Sequence, residues 1–450
     1  MSKVPEKRAI LLTIGTGDVT RAEESLLAPL RKSIRSGGDW SIVILLPSLI
    51  TKKYAEALSD SLSEFPIAIK PLPVEGAEND IDRCYSHFEA VIAGLLAQGY
   101  RRRDIFVDYT RGTKPMSSAL SLAAVRRDIP NLRYITSDRK DNRGQVIPGT
   151  ERIFTGTTAY VTLQRRLDAA ERFFTRGQFT AVGEILPDPD DRFTDSHTPE
   201  SLREIIGAAL EWARFYAAWD RLDYLEAKRM SGNLSPGNVP DPGWAKFAPK
   251  QEMFEWVRRL AEAFPDDCVG KAAHVRLLAA DVLANGERRI RDGQLEDACI
   301  RAYRILELVG QIRLFERGYD SARLDPDDDL ITTVKNKRRR KNKSGFSPYR
   351  EGKKGKLYYS ASRELVLSTL KELDDPFQKK LSTMAESPCF KAGMRNKSLL
   401  IHGFEPMAQT DAEAMGKFFG KLADLLVEDD KEAMDRLRVA RTLDFSEADT

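Results

Sequence analysis

Five short apolar runs punctuate the first 160 residues, and each is separated from the next by a stretch of helical periodicity. The runs are AILLTI (9–14), SIVILL (41–46), IAIKPL (67–72), DIFVDY (104–109) and LRYIT (132–136). The helical stretches lie at 21–35, 52–62, 81–98 and 115–127. A short strand that is apolar throughout must be covered on both faces, and helices between such strands supply both the cover and the crossovers of a parallel sheet. Residues 1–160 are therefore predicted to form an α/β Rossmann-like domain with a parallel-sheet core. Ligands of such sheets sit outside the carboxyl ends of the strands. Two of those ends are chemically distinctive, TIGTGD (13–18) after the first run and DYTRGTKPMSS (108–118) after the fourth.

Neither end completes a known phosphate motif. Gly15-x-Gly17 begins like a dinucleotide fingerprint, but Thr20 stands where the third glycine belongs. Gly112-Thr113-Lys114 resembles the end of a phosphate loop, but Val107 stands in place of its first glycine and Pro115 follows the lysine. What survives is an anion site at the start of a helix. Pro115 suits a first helical turn, which would leave the N–H groups of Met116 to Ser118 and the helix dipole at the mouth of the sheet. Gly112 permits close backbone approach, Thr113 and Ser117 offer hydroxyls, and Lys114 adds charge. An anionic nucleotide fits. The same residues also permit a structural arrangement in which Asp108 and Thr110 cap the turn and Lys114 points into solvent.

After about residue 162 the strand-like runs stop. Residues 161–291 are predicted to be an all-helical connector, broken by SGNLSPGNVPDPG (231–243). Its turns RGQF (176–179) and RDGQL (291–295) are alike, in too few copies for a solenoid. Residues 292–450 read as a bundle of four or five helices interrupted by a basic loop at 335–356, which opens with KNKRRRKNK (335–343). Such a run is ordinarily solvated, and beside a phosphodiester-cleaving cleft it would hold RNA backbone.

In RNKSLLIHGF (395–404), Arg395 and His402 are seven residues apart, two turns of a helix, and so share a face, with Asn396 beside the arginine. A lone Arg and His are more often ordinary surface residues. Two such helices about a two-fold axis would instead gather two copies of each side chain in one cleft. That set suits metal-free RNA cleavage, the histidine moving protons at the 2′-hydroxyl or leaving oxygen and the arginine stabilising charge on the phosphorane.

Composition bounds these readings. At 42% hydrophobic and 31% charged residues the chain can bury real cores, and no apolar run approaches the ~18 residues of a membrane span. The N-terminal MSKVPEKRAILLTIGTG reads as a strand entering a glycine turn and not as a signal peptide. Cys84, Cys268, Cys299 and Cys389 form no CxxC, against a zinc site or a disulfide framework, and suggest a reducing cytoplasm. The net charge of +3 makes the basic run a local feature.

A Rossmann-like domain with TIGTGD after its first strand and DYTRGTKPMS after its fourth resembles the CARF domain, and RNKSLLIH resembles the R-x4–6-H motif of HEPN ribonucleases. Together the chain resembles a CARF–HEPN ancillary ribonuclease of type III CRISPR defence, over about residues 8–160 and 292–430. The resemblance implies a homodimer whose CARF domains bind a cyclic oligoadenylate, of four or six adenylates, and whose composite HEPN cleft then cuts single-stranded RNA without a metal or resident cofactor. Carried over by position, the activator would meet Gly15, Thr16, Gly17, Asp18, Thr110, Arg111, Gly112, Thr113, Lys114 and Ser117. Arg395, Asn396 and His402 would be catalytic; six residues separate Arg395 from His402, the long end of the motif's range. Thr16 and Lys114 are also candidates for slow cleavage of the activator. The alternative is a non-catalytic nucleotide sensor whose helical end binds a partner or nucleic acid.

Overall fold

The computed structural model describes residues 7–15, 22–140, 145–147, 149–187, 199–234, 241–341, 346–350, 355–386 and 407–445. The chain divides into two compact units, Met1–Asp168 with Pro187–Arg203, and Ala169–Leu186 with Glu204–Thr450.

In the first unit the expected strands are β1 (Ala9–Ile14), β2 (Ile42–Pro47), β3 (Ile67–Ile69), β4 (Ile105–Asp108) and β5 (Asn131–Thr136). Between them lie α1 (Ala28–Arg35), α2 (Lys52–Asp60), α3 (Ile81–Ala97) and α4 (Lys114–Arg126). A small ribbon, β6 (Arg139–Lys140) with β7 (Gln145–Val146), precedes β8 (Arg152–Thr157). The sheet order is β3-β2-β1-β4-β5-β8, parallel throughout except where β8 pairs antiparallel with β5. Sequence periodicity missed β8, whose residues are almost all exposed and so make no apolar run.

All six residues of β1 are buried because helices cover both faces. Ala9 and Leu11 pack toward α3 and α4, whereas Ile10, Leu12 and Ile14 pack toward α1 and α2. Each fully buried aliphatic side chain contributes about 1.5–3 kcal/mol. Strand order reverses between β1 and β4, which opens a crevice at their carboxyl ends.

After β8 the chain is helical: α5 (Ala159–Thr175), α6 (Phe179–Ile185), α7 (Glu200–Asp220), α8 (Tyr224–Ser231), α9 (Gln251–Leu260), α10 (Cys268–Arg291) and α11 (Leu295–Glu316). Then follow α12 (Asp329–Arg339), a hairpin of β9 (Phe346–Arg350) and β10 (Leu357–Ala361), α13 (Arg363–Glu372), α14 (Phe377–Glu386), α15 (Ala412–Asp429) and α16 (Ala433–Ala440). The paired turns RGQF and RDGQL use one device: Gly177 and Gly293 adopt φ of 70° and 73°, ending α5 and α10 in the left-handed conformation glycine favours.

Buried polar groups fasten the second unit. The Asp281 carboxylate accepts from Trp219 Nε1 (2.9 Å), Trp256 Nε1 (2.9 Å) and Tyr224 Oη (2.8 Å), joining α7, α8, α9 and α10. Burial pushes this carboxyl up from its ordinary value, opposed by the two indole donors, Arg288 and the Tyr224 hydroxyl. At Gly286 a Cβ would stand 2.3 Å from Phe419 Cε1, so α15 packs directly on the bare backbone of α10.

The basic stretch differs from the expected loop. Residues 335–339 complete α12, whose buried stripe is Ile331, Val334 and Arg338, and the chain then turns into the β9–β10 hairpin. Arg338 reads as charge in sequence but works as a fastener here, donating to the Glu364 carbonyl (3.0 Å) and Ser368 Oγ (2.7 Å).

Candidate functional site

Adjacent parallel strands end together, so the loops after β1 and β4 must meet. Gly15 N donates to the Arg111 carbonyl at 2.9 Å. A Cβ on Gly15 would stand 3.2 Å from Gly112 Cα, and one on Gly112 would stand 3.0 Å from the Thr13 side chain and 3.1 Å from Met116 Cβ. Both glycines are therefore favoured by close approach. A third loop joins them, because Thr113 Oγ1 donates to the Glu78 carbonyl. Glu78 lies in the short turn Ala77–Asn79 before α3, and sequence reading did not single it out. Asp80, three residues before Arg83, caps α3 by accepting from the amides of Asp82 (3.0 Å) and Arg83 (3.1 Å), a signal legible in sequence.

The turn is braced from beneath. Asp108, 1% exposed, accepts from Ser33 Oγ (2.6 Å), Thr110 N (3.0 Å) and Thr110 Oγ1 (2.5 Å). Thr110 Oγ1 also accepts from Ile135 N at 2.9 Å. Asp108 and Thr110 thus hold the turn, as the structural arrangement anticipated. Burial lowers the Arg111 and Arg133 guanidinium pKa values, with Asp108 the leading opposing charge at each. Among the described residues, Arg111 Nε is buried without a hydrogen-bond partner, as is Glu78 Oε2.

The expected row of free amides at the helix start is corrected. Thr113 is the N-cap, accepting from Met116 N at 3.3 Å, and Ser117 N donates to the Thr113 carbonyl at 2.9 Å. Lys114 is exposed while Arg111, Gly112 and Thr113 are half-buried around it. The rim thus combines bare backbone at two glycines, one exposed ammonium and one partly desolvated guanidinium. That is a chemistry for holding anions, and Asp108, whose carboxylate is engaged below, supplies no free acid or base. Seven of the residues named for the activator, Gly15 and Thr110 to Lys114 with Ser117, fall on this rim or the first turn of α4. Thr16, Gly17 and Asp18, and likewise Arg395, Asn396 and His402, lie outside the described residues.

In the second unit, α14 and α15 flank a cleft of ≈ 510 Å³ lined by Met384, Ala414 and Phe418 with Lys417 and Lys421. These helices border residues 387–406, within which RNKSLLIH falls.

A Rossmann-like unit with a crevice at its switch point is thus followed by a mainly helical unit whose sequence carries an Arg–His motif. Residues 268–426 match the family described as the Csm6 HEPN domain. That match begins at the first residue of α10, whereas the sequence alone drew its boundary at 292; α10 and α11 are successive helices joined at Gly293. Among solved structures, Enterococcus italicus Csm6 bound to cyclic hexa-2′-fluoro-hexa-dAMP shares the fold, with a TM-score of 0.54 over 97% of this chain and 99% of that one, at 11% identity. Can2 from Sulfobacillus thermosulfidooxidans in complex with cyclic tetra-adenylate aligns with a TM-score of 0.22 over 49% of this chain and 69% of that one, at 13% identity, too low a score to carry an argument. No curated protein matches the sequence. The C-terminal helices thus match the Csm6 HEPN family model, and the chain as a whole shares the fold of the Enterococcus italicus structure.

Proposed function

We propose that this chain is a cyclic-oligoadenylate-activated, metal-independent endoribonuclease of type III CRISPR defence, cutting single-stranded RNA at a composite site formed by two HEPN domains of a homodimer. The observation that carries the reading is the Csm6 HEPN match, because residues 268–426 include RNKSLLIH. The Csm6 neighbour bound to a ring-shaped hexanucleotide supports a ring as the activator.

In this reading the rim of the first unit holds the ring's phosphates. Gly15 and Gly112 let the backbone come close, Lys114 supplies a point charge, and Arg111 a guanidinium whose Nε has no partner among the described residues. Thr16, Gly17 and Asp18 complete the rim, with Thr113 and Ser117 at the helix start. In the HEPN cleft, His402 moves a proton at the 2′-hydroxyl or leaving oxygen, Arg395 stabilises the charged phosphorane, and Asn396 orients the phosphate. The RNA supplies its own nucleophile, so this chemistry requires no metal.

The test is cleavage of a fluorogenic RNA with rings of four and of six adenylates, in EDTA. Ring-dependent cleavage that persists in EDTA is expected. No cleavage with either ring would sink the ribonuclease reading, and loss of cleavage in EDTA would sink the metal-free mechanism.

A further inference from the structure

Charge is segregated in this chain to a degree its overall balance conceals. Residues 335–356 contain eleven Lys and Arg and one acidic residue, Glu351, a local +10 in a chain of net charge +3. The remainder of the chain therefore sums to −7. Like charges so concentrated repel one another, and one or two cations would satisfy the C-terminal dipole of α12.

The described part of this stretch sits on a folded platform. Leu324, Ile331, Val334, Tyr359 and Leu365 form a small core beneath α12 and the hairpin. Lys335 Nζ donates to Tyr359 Oη at 2.6 Å, Lys337 pairs with Glu372, and Lys356 pairs with Asp325 at 2.5 Å. Lys356 and Arg323 also lie 5.9 and 5.2 Å from the Tyr358 ring centre. Arg339, Arg340 and Lys341, at the end of α12, are exposed and have no carboxylate partner among the described residues. Arg313, by contrast, reaches Glu316, Asp375 and Asp429 at 2.8, 3.0 and 3.1 Å.

We propose that the end of α12 and the β9–β10 hairpin form a docking surface for the phosphodiester backbone of single-stranded RNA, separate in sequence from the cleavage motif. The proposal rests on the ribonuclease reading for which polyanion docks. The cluster of Arg339, Arg340 and Lys341, without a carboxylate partner among the described residues of an otherwise acidic chain, draws a polyanion to this place, and the gain comes from released counterions. The backbone is gripped here without sequence readout, so the surface raises affinity for any single-stranded RNA.

The experiment uses the full chain with His402→Ala, fluorescein-labelled oligouridine, and anisotropy titrations in EDTA over about 50–200 mM salt. Replacing Arg339, Arg340 and Lys341 by Gln is expected to weaken binding about tenfold or more. It should also reduce the slope of log K against log salt by about 2, at roughly 0.7 for each phosphate no longer neutralised. Arg339→Lys with Arg340→Lys should retain both affinity and slope. An unchanged affinity and slope in the Gln variant overturns the proposal. So does a parent chain that binds no RNA, in which case the surface serves an acidic protein. Salt-dependent binding through these residues in a chain whose unsubstituted form never cleaves would support the docking surface while removing the ribonuclease reading.

Discussion

Lys114 and Gly112 lie two residues apart and have opposite roles in the rim, and substitution separates them. Lys114 is exposed, so Lys114→Ala should leave the melting temperature unchanged. Without a charge-assisted hydrogen bond of about 1.5–3 kcal/mol, ring affinity should fall roughly 10- to 100-fold. Gly112→Val places carbon where Thr13 and Met116 already lie within 3.0–3.1 Å of a bare Cβ, so it should lower both affinity and melting temperature. Calorimetric titration with each ring, beside a thermal melt, reads both. Normal ring binding by Lys114→Ala would mean that the rim does not hold phosphate. Sequence made this pair legible because each residue stands in a βα turn where strand order can be guessed. Asp108 and Thr110 were likewise readable as caps of the turn, but the Ser33 hydroxyl that holds the Asp108 carboxylate was not, because it comes from 75 residues earlier in the chain. The free amides expected at α4 failed for a local reason: Thr113 is a better N-cap than a ligand hydroxyl, and sequence does not say which it will be.

Among the elements, the strands β1, β2 and β4 were readable because burial on both faces writes itself as an unbroken apolar run. β8 and α12 were not. The first is an exposed edge strand, and the second hides its apolar stripe under cations whose stems or donors face inward. The helices of the second unit also share a charge device invisible to periodicity. Asp375, whose side chain is fully buried, lies in the turn between α13 and α14 and binds Arg313 at 3.0 Å and Arg317 at 3.2 Å. Burial alone would raise this carboxyl, but hydrogen bonds from Arg313, the Phe377 amide and Arg317 outweigh it and hold it below its ordinary value. A carboxyl depressed on folding binds its proton more readily when unfolded. Its contribution is thus present above the unfolded value of ~4 and is lost as pH falls through the lowered folded value. Asp375→Asn should therefore cost about 3 kcal/mol or more near neutrality, because Arg313 loses a buried partner. The deficit should shrink as pH drops below ~4. Melting temperatures of both forms across that range are the check, and a deficit that stays constant with pH would assign the loss to packing.

At the scale of the whole molecule, the two units must be coupled if a ring bound by one is to govern cleavage by the other. A ring shifts the cleaving state only by its difference in affinity between the active and inactive arrangements. Linkage makes that difference reciprocal: the factor by which the ring tightens RNA binding equals the factor by which RNA tightens ring binding. His402→Ala allows the measurement, since it should abolish cleavage while leaving the ring rim in the first unit intact. In that variant, ring affinity with saturating oligouridine and RNA affinity with saturating ring should each rise by the same factor, in the range of about 5- to 150-fold. Lys114→Ala in the same background should weaken ring binding in the presence and absence of RNA alike, leaving the factor unchanged, because an exposed cation that only holds phosphate has no share in the coupling. Two factors of one would show that ring and RNA bind independently, so that ring control would act on the cleavage step and not on RNA affinity. A factor that collapses with Lys114→Ala would instead place the coupling at the rim itself, with Lys114 sensing the active arrangement as well as holding the ligand.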